Sequence, residues 1–305
     1  MKRLVLTLSL LAVLLASCAP VDLNPPIPVY DTGVDPSAWA RVPAGPFYHG
    51  QEAEPVEIPY DYEIMVTPVT VAQYVDFLNV ALADGTVLIE GEYALAFYPG
   101  DPFYGKKHEL EIRAGNYPLV PLADLASRFT FDGSAFAALP GWETHPMTNV
   151  SWFGAWAYCG YYGWRLPTEL EWEKAARGSE DARAYPWGDE ITRQHANYYA
   201  SRDPFEDMSS YGSLTTPVGF YNGRTYDGYQ TYDARSPYGL YDMAGNVWQW
   251  VGDVHLQEGF SDRVMHGGSR NTYDMDLRVW VRNSAPPMYY GPAVGFRCAK
   301  IDGRP

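Results

Sequence analysis

The sequence predicts an α+β domain that is rich in loops, with short strands and a few helices. Its 25 Tyr, 12 Phe and 10 Trp suit a fold in which aromatic side chains fill the space between short strands and loops. Three helix starts are visible: capping boxes at Thr70 with Gln73 and at Thr168 with Glu171, and an N-cap at Ser151. Trp248 and Trp250 alternate with Val247 and Gln249, the pattern of a half-buried strand.

In chain order, Lys2 and Arg3 precede an apolar run from Leu4 to Leu15 and then the segment LASC ending at Cys18. That run is too short to span a bilayer, which takes about 20 apolar residues. It reads as a secretory signal, residues 1–17, with a lipoprotein cleavage box, so Cys18 is expected to be the lipidated first residue of the mature chain. An ordinary signal peptide with a chance cysteine is the alternative. Ala19 rather than Asp follows Cys18, which favours the outer membrane in a Gram-negative cell. Residues 18–41 contain Pro20, Pro25, Pro26, Pro28 and Pro36 without an apolar period and predict an extended tether. Residues 42–305 then form one domain.

Val42–Gly50 and Val56–Val66 predict the first two strands. After Thr70, the residues Val71, Tyr74, Val75 and Leu78 share a helix face that ends near Asp84 and Gly85. Residues 86–141 show strand-like pieces at Thr86–Ile89 and Phe129–Phe131 and a charged run at Lys106–Glu109. They predict an elaborated insertion with little core of its own, either shaping a partner site or decorating the domain. Trp152, Ala155, Trp156 and Cys159 recur at helical spacing after Ser151, and Leu170, Trp172 and Ala175 follow Thr168 with Gly178 at the end. Residues 179–236 predict ordered loop.

The formal charge is -15, and loss of Lys2 and Arg3 with a cleaved signal makes it more negative by two. Such a surface disfavours nucleic acid and anionic lipid as ligands and favours cations or neutral partners. The six histidines, His49, His108, His145, His195, His255 and His266, are dispersed with no HxxxH or HExxH spacing, and no nucleophile-elbow or phosphate-loop pattern occurs.

Asp242, Gly245, Val247 and Gln249 are spaced so that two side-chain oxygens can alternate with two carbonyls, a set of hard oxygens that suits Ca²⁺. A turn followed by a core strand accounts for the same residues without a metal. The stretch PYGLYDMAGNVWQW at 237–250 resembles the core signature of the formylglycine-generating enzyme, or sulfatase-modifying factor, family, a variant of the C-type lectin fold. Further matches are VPAGPFYHG (42–50), TPVTVAQYVDFLN (67–79), HPMTNVSWFGAWAYCGYYGWRLPTELEWEKAARG (145–178), YPWGDE (185–190), HGGSR (266–270) and GFRCAK (295–300).

The resemblance implies a second calcium site at Asn197, the carbonyl of Tyr198, Asp203 and the carbonyl of Phe205. At the first site the family enzyme carries Asn and Glu where this chain has Asp242 and Gln249. With Cys18 lipidated, Cys159 and Cys298 remain. In an exported chain they invite a disulfide, and the resemblance implies that pairing, with two buried thiols as the alternative. The family enzyme oxidises a substrate cysteine with O₂ and copper through two cysteines that follow its GGS motif. Aligned on Gly267–Ser269, those positions hold Thr272 and Leu277; neither offers the thiolate that Cu(I) needs, so copper and formylglycine-generating activity are not expected. Related iron enzymes of ergothioneine synthesis carry their histidines on an extra helical domain that this sequence does not provide.

The expected function is therefore a non-catalytic surface lipoprotein that binds a protein or glycan. It contacts the membrane through its N-terminal lipid only. The ligand-binding candidates are Ser269, Asn271, Tyr273, Asp274, Asp276, Arg278, Trp280, Tyr289 and Tyr290, a mixture of polar and aromatic groups. Strands alternating core and solvent are the plainer reading of the same segment. Two alternatives stand beside this function: an oxidoreductase of the same family with an unrecognised active site, and a variable ligand-binding protein of a diversity-generating retroelement.

Overall fold

A computed structural model describes residues 27–107, 109–208, 212–255 and 261–301. The signal, Cys18 and His108 lie outside the described residues.

The two ends of the described chain meet in one sheet. Trp39–Val42 pairs antiparallel with Tyr62–Met65, and Ala299–Ile301 adds to the other edge of Tyr62–Met65. This corrects the tether expectation for residues 27–41. Besides the strand at Trp39–Val42, the buried Thr32 donates its hydroxyl to the Val218 carbonyl at 3.0 Å, and the Tyr30 ring packs on Phe205, Phe220 and Tyr226. Proline makes the segment extended, but its aromatic residues have a core to enter. The expected strand Val56–Val66 divides into Glu54–Ile58 and Tyr62–Met65. The break falls at Pro59, which lacks an N–H, and Asp61, whose carboxylate accepts from the Ala44 N–H and from Arg41.

The three helices form where their caps predicted. Helix α1, Val71–Ala83, starts at a complete capping box on Thr70 and ends at Asp84, with Gly85 beyond it at positive φ. Helix α2, Trp152–Tyr161, is capped by Ser151. Helix α3, Glu169–Arg177, has a complete box on Thr168 and reaches Gly178 at φ 85°.

Helix α3 buries charge as well as apolar surface. Glu171 is held by both terminal nitrogens of Arg165 at 2.6 Å. Lys174 donates to the Pro43 and Gly45 carbonyls at 2.6 and 2.9 Å, and Arg177 donates to those of Tyr48 and Gly50. Each of these buried charges is bonded, although Arg177 Nε is buried without a partner, and Lys174 and Arg177 staple the hairpin of Gly45–His49 and Glu54–Ile58 onto the helix.

The central sheet runs in the order Arg282–Ala285, Asp262–His266, Trp248–His255, Val294–Phe296, with the last pair parallel. Val247, Trp248, Gln249 and Trp250 are all buried, so this strand is covered on both faces rather than one. Cys298, just past the sheet, is bonded to Cys159 on α2, with Cα atoms 5.7 Å apart.

The insertion is the largest departure from expectation. Val87–Glu90, Tyr93–Tyr98 and Gly115–Pro121 form a three-stranded sheet, followed by a hairpin of Phe129–Phe131 and Phe136–Ala138. Val87, Ala94, Ala96, Tyr98, Leu119, Val120, Phe129 and Phe136 join the same apolar cluster as α1 and α2. The insertion is thus part of the main core. Residues 179–236 are mostly loop, with a separate aromatic core around Phe205, Phe220, Tyr221 and Tyr226. The described residues make a loop-rich α+β fold of short, mainly antiparallel strands and three α-helices. Among the described residues no helix is long and apolar enough to cross a membrane.

Candidate functional site

The two oxygen sets expected to hold calcium lie side by side. Gly245, at φ 81°, presses against the Asn197 carbonyl with no room for a Cβ, and the same carbonyl accepts the Asn246 N–H at 2.7 Å. Asp242 and Asn246 also have positive φ, a conformation that Asp and Asn tolerate better than most residues. Among the described residues no three His, Cys, Asp or Glu side chains cluster as metal ligands. A cation here would be held by a mixture of carboxylate, amide and main-chain oxygens, as Ca²⁺ accepts.

In the set around Asn197, its side chain donates to the Leu214 carbonyl at 2.8 Å while its Oδ1 is buried without a partner. Asp203 is buried and meets only neutral donors: the Ser201 and Tyr221 hydroxyls and the Phe205 N–H, each at 2.8 Å. Burial pushes its carboxyl up to about 6, against the lowering effect of those donors. The Tyr198 carbonyl accepts from Ser201 and the Phe205 carbonyl from Leu214; each keeps a lone pair. An orphaned amide oxygen beside a loop with a buried carboxylate fits a calcium ion.

The set around Asp242 does not fit. The Asp242 carboxylate accepts the Gly219 N–H at 2.7 Å, and burial pushes it up to about 6. The Gly245 carbonyl accepts from Val247. Gln249 Oε1 already accepts from Arg297 Nε at 2.7 Å and Trp172 Nε1 at 3.1 Å, and its Nε2 donates to the Asp242 carbonyl at 2.7 Å.

The ligand-binding candidates disperse into several neighbourhoods. Ser269 is buried beneath the surface rather than displayed on it, which corrects its place among the candidates. Its N–H donates to the Thr272 hydroxyl at 2.9 Å, and that hydroxyl returns a bond to the Ser269 carbonyl at 3.0 Å. Asn271, Tyr273 and Asp274 are exposed, and the Tyr273 ring lies 5.2 Å from Tyr199. The Asp276 carboxylate is turned back onto the Tyr273 N–H at 3.1 Å. Trp280 packs partly into the core beneath the guanidinium groups of Arg177 and the exposed Arg278. Tyr289 is exposed, whereas Tyr290 meets Tyr93 of the insertion and shares with Glu92 and Asp124 a hollow of about 160 Å³.

Tyr199 and Tyr93 join the candidates without any signal in the sequence. The Arg270 guanidinium is buried and bonded to the Ser213 and Pro292 carbonyls. Arginine directly after GGS was visible, but nothing in the spacing indicated that it would fold inward.

The fold and these sites define a lectin-like scaffold whose loops are fastened by buried polar groups. The model for the sulfatase-modifying factor enzyme 1-like domain matches residues 31–301, and the chain belongs to that family. It is similar to the inactive C-alpha-formylglycine-generating enzyme 2 of Mus musculus, 35% identical over 52% of this chain and 50% of that protein. It is likewise similar to the formylglycine-generating enzyme of Streptomyces coelicolor, 36% identical over 53% of this chain and 54% of that protein. The chain spans about half the length of these two curated relatives. Among solved structures, PvdO from Pseudomonas aeruginosa superposes with a TM-score of 0.53 at 21% identity, over 91% of this chain and 99% of that one. CarF gives 0.52 at 21% identity, over 87% and 98%. Both likenesses concern the fold.

Proposed function

We propose that the chain is a non-catalytic member of the family, an exported lipoprotein that binds a protein or glycan through the loops between Ser269 and Tyr290. The observation that carries this reading is the pair Thr272 and Leu277. The Thr272 hydroxyl is tied in both directions to the Ser269 main chain. Leu277 is fully buried, and its side chain fills the space that a Cβ on Gly268 would need. Where the family enzyme keeps two thiols, this chain has a closed turn and an apolar plug, and neither gives the soft ligand that copper requires.

The exposed Asn271, Tyr273 and Asp274 beside Tyr199 offer rigid aromatic area and adaptable polar groups, the composition of a recognition surface. Calcium at Asn197, Tyr198, Asp203 and Phe205 would hold the loop beneath Tyr199. Attachment to the envelope rests on Cys18.

The reaction is tested by incubating the protein with a cysteine-containing peptide, copper and O₂. No aldehyde is expected, and formylglycine in the peptide would overturn the reading. Binding is tested on glycan and cell-surface protein arrays, where Tyr273→Ala should weaken capture at least tenfold. Labelling with a radioactive fatty acid should be lost in Cys18→Ser; labelling that persists would exclude this anchor.

A further inference from the structure

The Asp242 node already contains a cation. Arg297 is completely buried, and its guanidinium binds oxygens from three separate stretches of chain. Nε donates to Gln249 Oε1 at 2.7 Å. Nη1 donates to the carbonyls of Met65 and Val66 at 2.9 and 3.1 Å. Nη2 donates to those of Tyr241 and Asp242 at 2.7 and 3.3 Å. All three nitrogens are satisfied. A guanidinium keeps its proton in folded proteins, so the group is cationic at neutral pH.

The orientation of the Gln249 amide follows from its neighbours. Its oxygen faces two donors, Arg297 Nε and the Trp172 indole, and its nitrogen faces an acceptor, the Asp242 carbonyl. Flipping the amide would set donor against donor and acceptor against acceptor. A carboxylate at this position would likewise lack the proton that the Asp242 carbonyl receives. Glutamine, rather than the glutamate of the family enzyme, is what this arrangement requires.

We propose that Arg297 is the permanent cation of this node, and that the 237–250 stretch is held by the guanidinium and takes no calcium. A Ca²⁺ bound to Gln249 Oε1 would lie about 2.4 Å from it. With Arg297 Nε on the same oxygen, the two positive centres would be within about 5 Å of each other. The neutral amide brings no charge to offset that repulsion. Both acceptor directions of Oε1 are already filled. The chain therefore has an arginine node where the spacing suggested a metal, beside the Asn197 node where the resemblance implied another.

This inference goes beyond the proposed function, which places calcium at the Asn197 node. Calcium is counted by equilibrium dialysis on the full-length protein in detergent after chelation, with unmodified protein, Asp242→Asn and Asp203→Asn. Asp242→Asn keeps an oxygen for the Gly219 N–H and should bind calcium within twofold of the unmodified protein. Two ions per chain, or a loss of tenfold or more in affinity in Asp242→Asn, would overturn the inference. Loss in Asp203→Asn alone supports both readings. Absence of any calcium removes the Asn197 proposal and agrees with this one. As a second measurement, Arg297→Lys should lower the melting temperature equally with and without calcium. Selective rescue of that variant by calcium would show that a metal can take the guanidinium's place, and the inference would fail.

Discussion

Glu169, the first residue of α3, accepts from Arg282 at 3.1 Å and lies 3.4 Å from the buried imidazole of His266. Burial alone would push its carboxyl up; His266 and Arg282 more than reverse that and hold it at about 2. A carboxylate held below its unfolded value contributes fully above about pH 4.5 and loses that contribution as the pH falls toward about 2. Glu169→Gln should therefore cost about 1–3 kcal/mol at pH 7 and almost nothing at pH 2. Urea unfolding at both pH values measures this, and an equal loss at the two would rule out the ionic account. The cysteine partners were foreseeable at this scale because so few cysteines remain once Cys18 is assigned to the anchor. Arg297 was not foreseeable. Its position was plain within GFRC, but its role depends on carbonyls from Met65 and Val66, far away in sequence.

At the scale of elements, α2 lies so close to the Gly115–Pro121 strand that Gly154 has no room for a side chain. A Cβ there would be 2.7 Å from both the Leu119 carbonyl oxygen and the Tyr74 hydroxyl. Gly154→Ala would gain about 1 kcal/mol of helix propensity, but the overpacking costs about 1–3 kcal/mol. A net loss of stability is expected in chemical denaturation, and a gain would mean that the helix can move away from the strand. At the N-terminus of α3, Thr168→Ala should cost about 1 kcal/mol by removing the cap. Starts and ends of helices were legible because capping chemistry is local: each depends on a few adjacent residues. The division of the second strand was less so, since Asp61 makes its corner through Ala44 and Arg41, which the local pattern does not reveal.

For the whole molecule, the bond between Cys159 and Cys298 closes a loop over a sequence separation of 139. Replacing either cysteine by alanine should cost about 2–5 kcal/mol, read as a lower urea midpoint that matches reduced wild-type protein. An unchanged midpoint would show that the bond does not restrain unfolding. The role of the insertion was hidden because its apolar residues are spread over strands of three to seven residues. No single periodic run announces their common core. The docking of residues 27–42 was hidden for the opposite reason: proline dominates the segment, while Tyr30 and Trp39 make its contacts. That docking has a geometric consequence. If Cys18 is anchored, only residues 19–26 separate the lipid from the folded body, a reach of about 30 Å at full extension. The domain would be berthed against the bilayer with its Tyr30 end inward. A quencher placed in the lipid headgroups should then dim fluorophores attached near residue 30 more than those near residue 289.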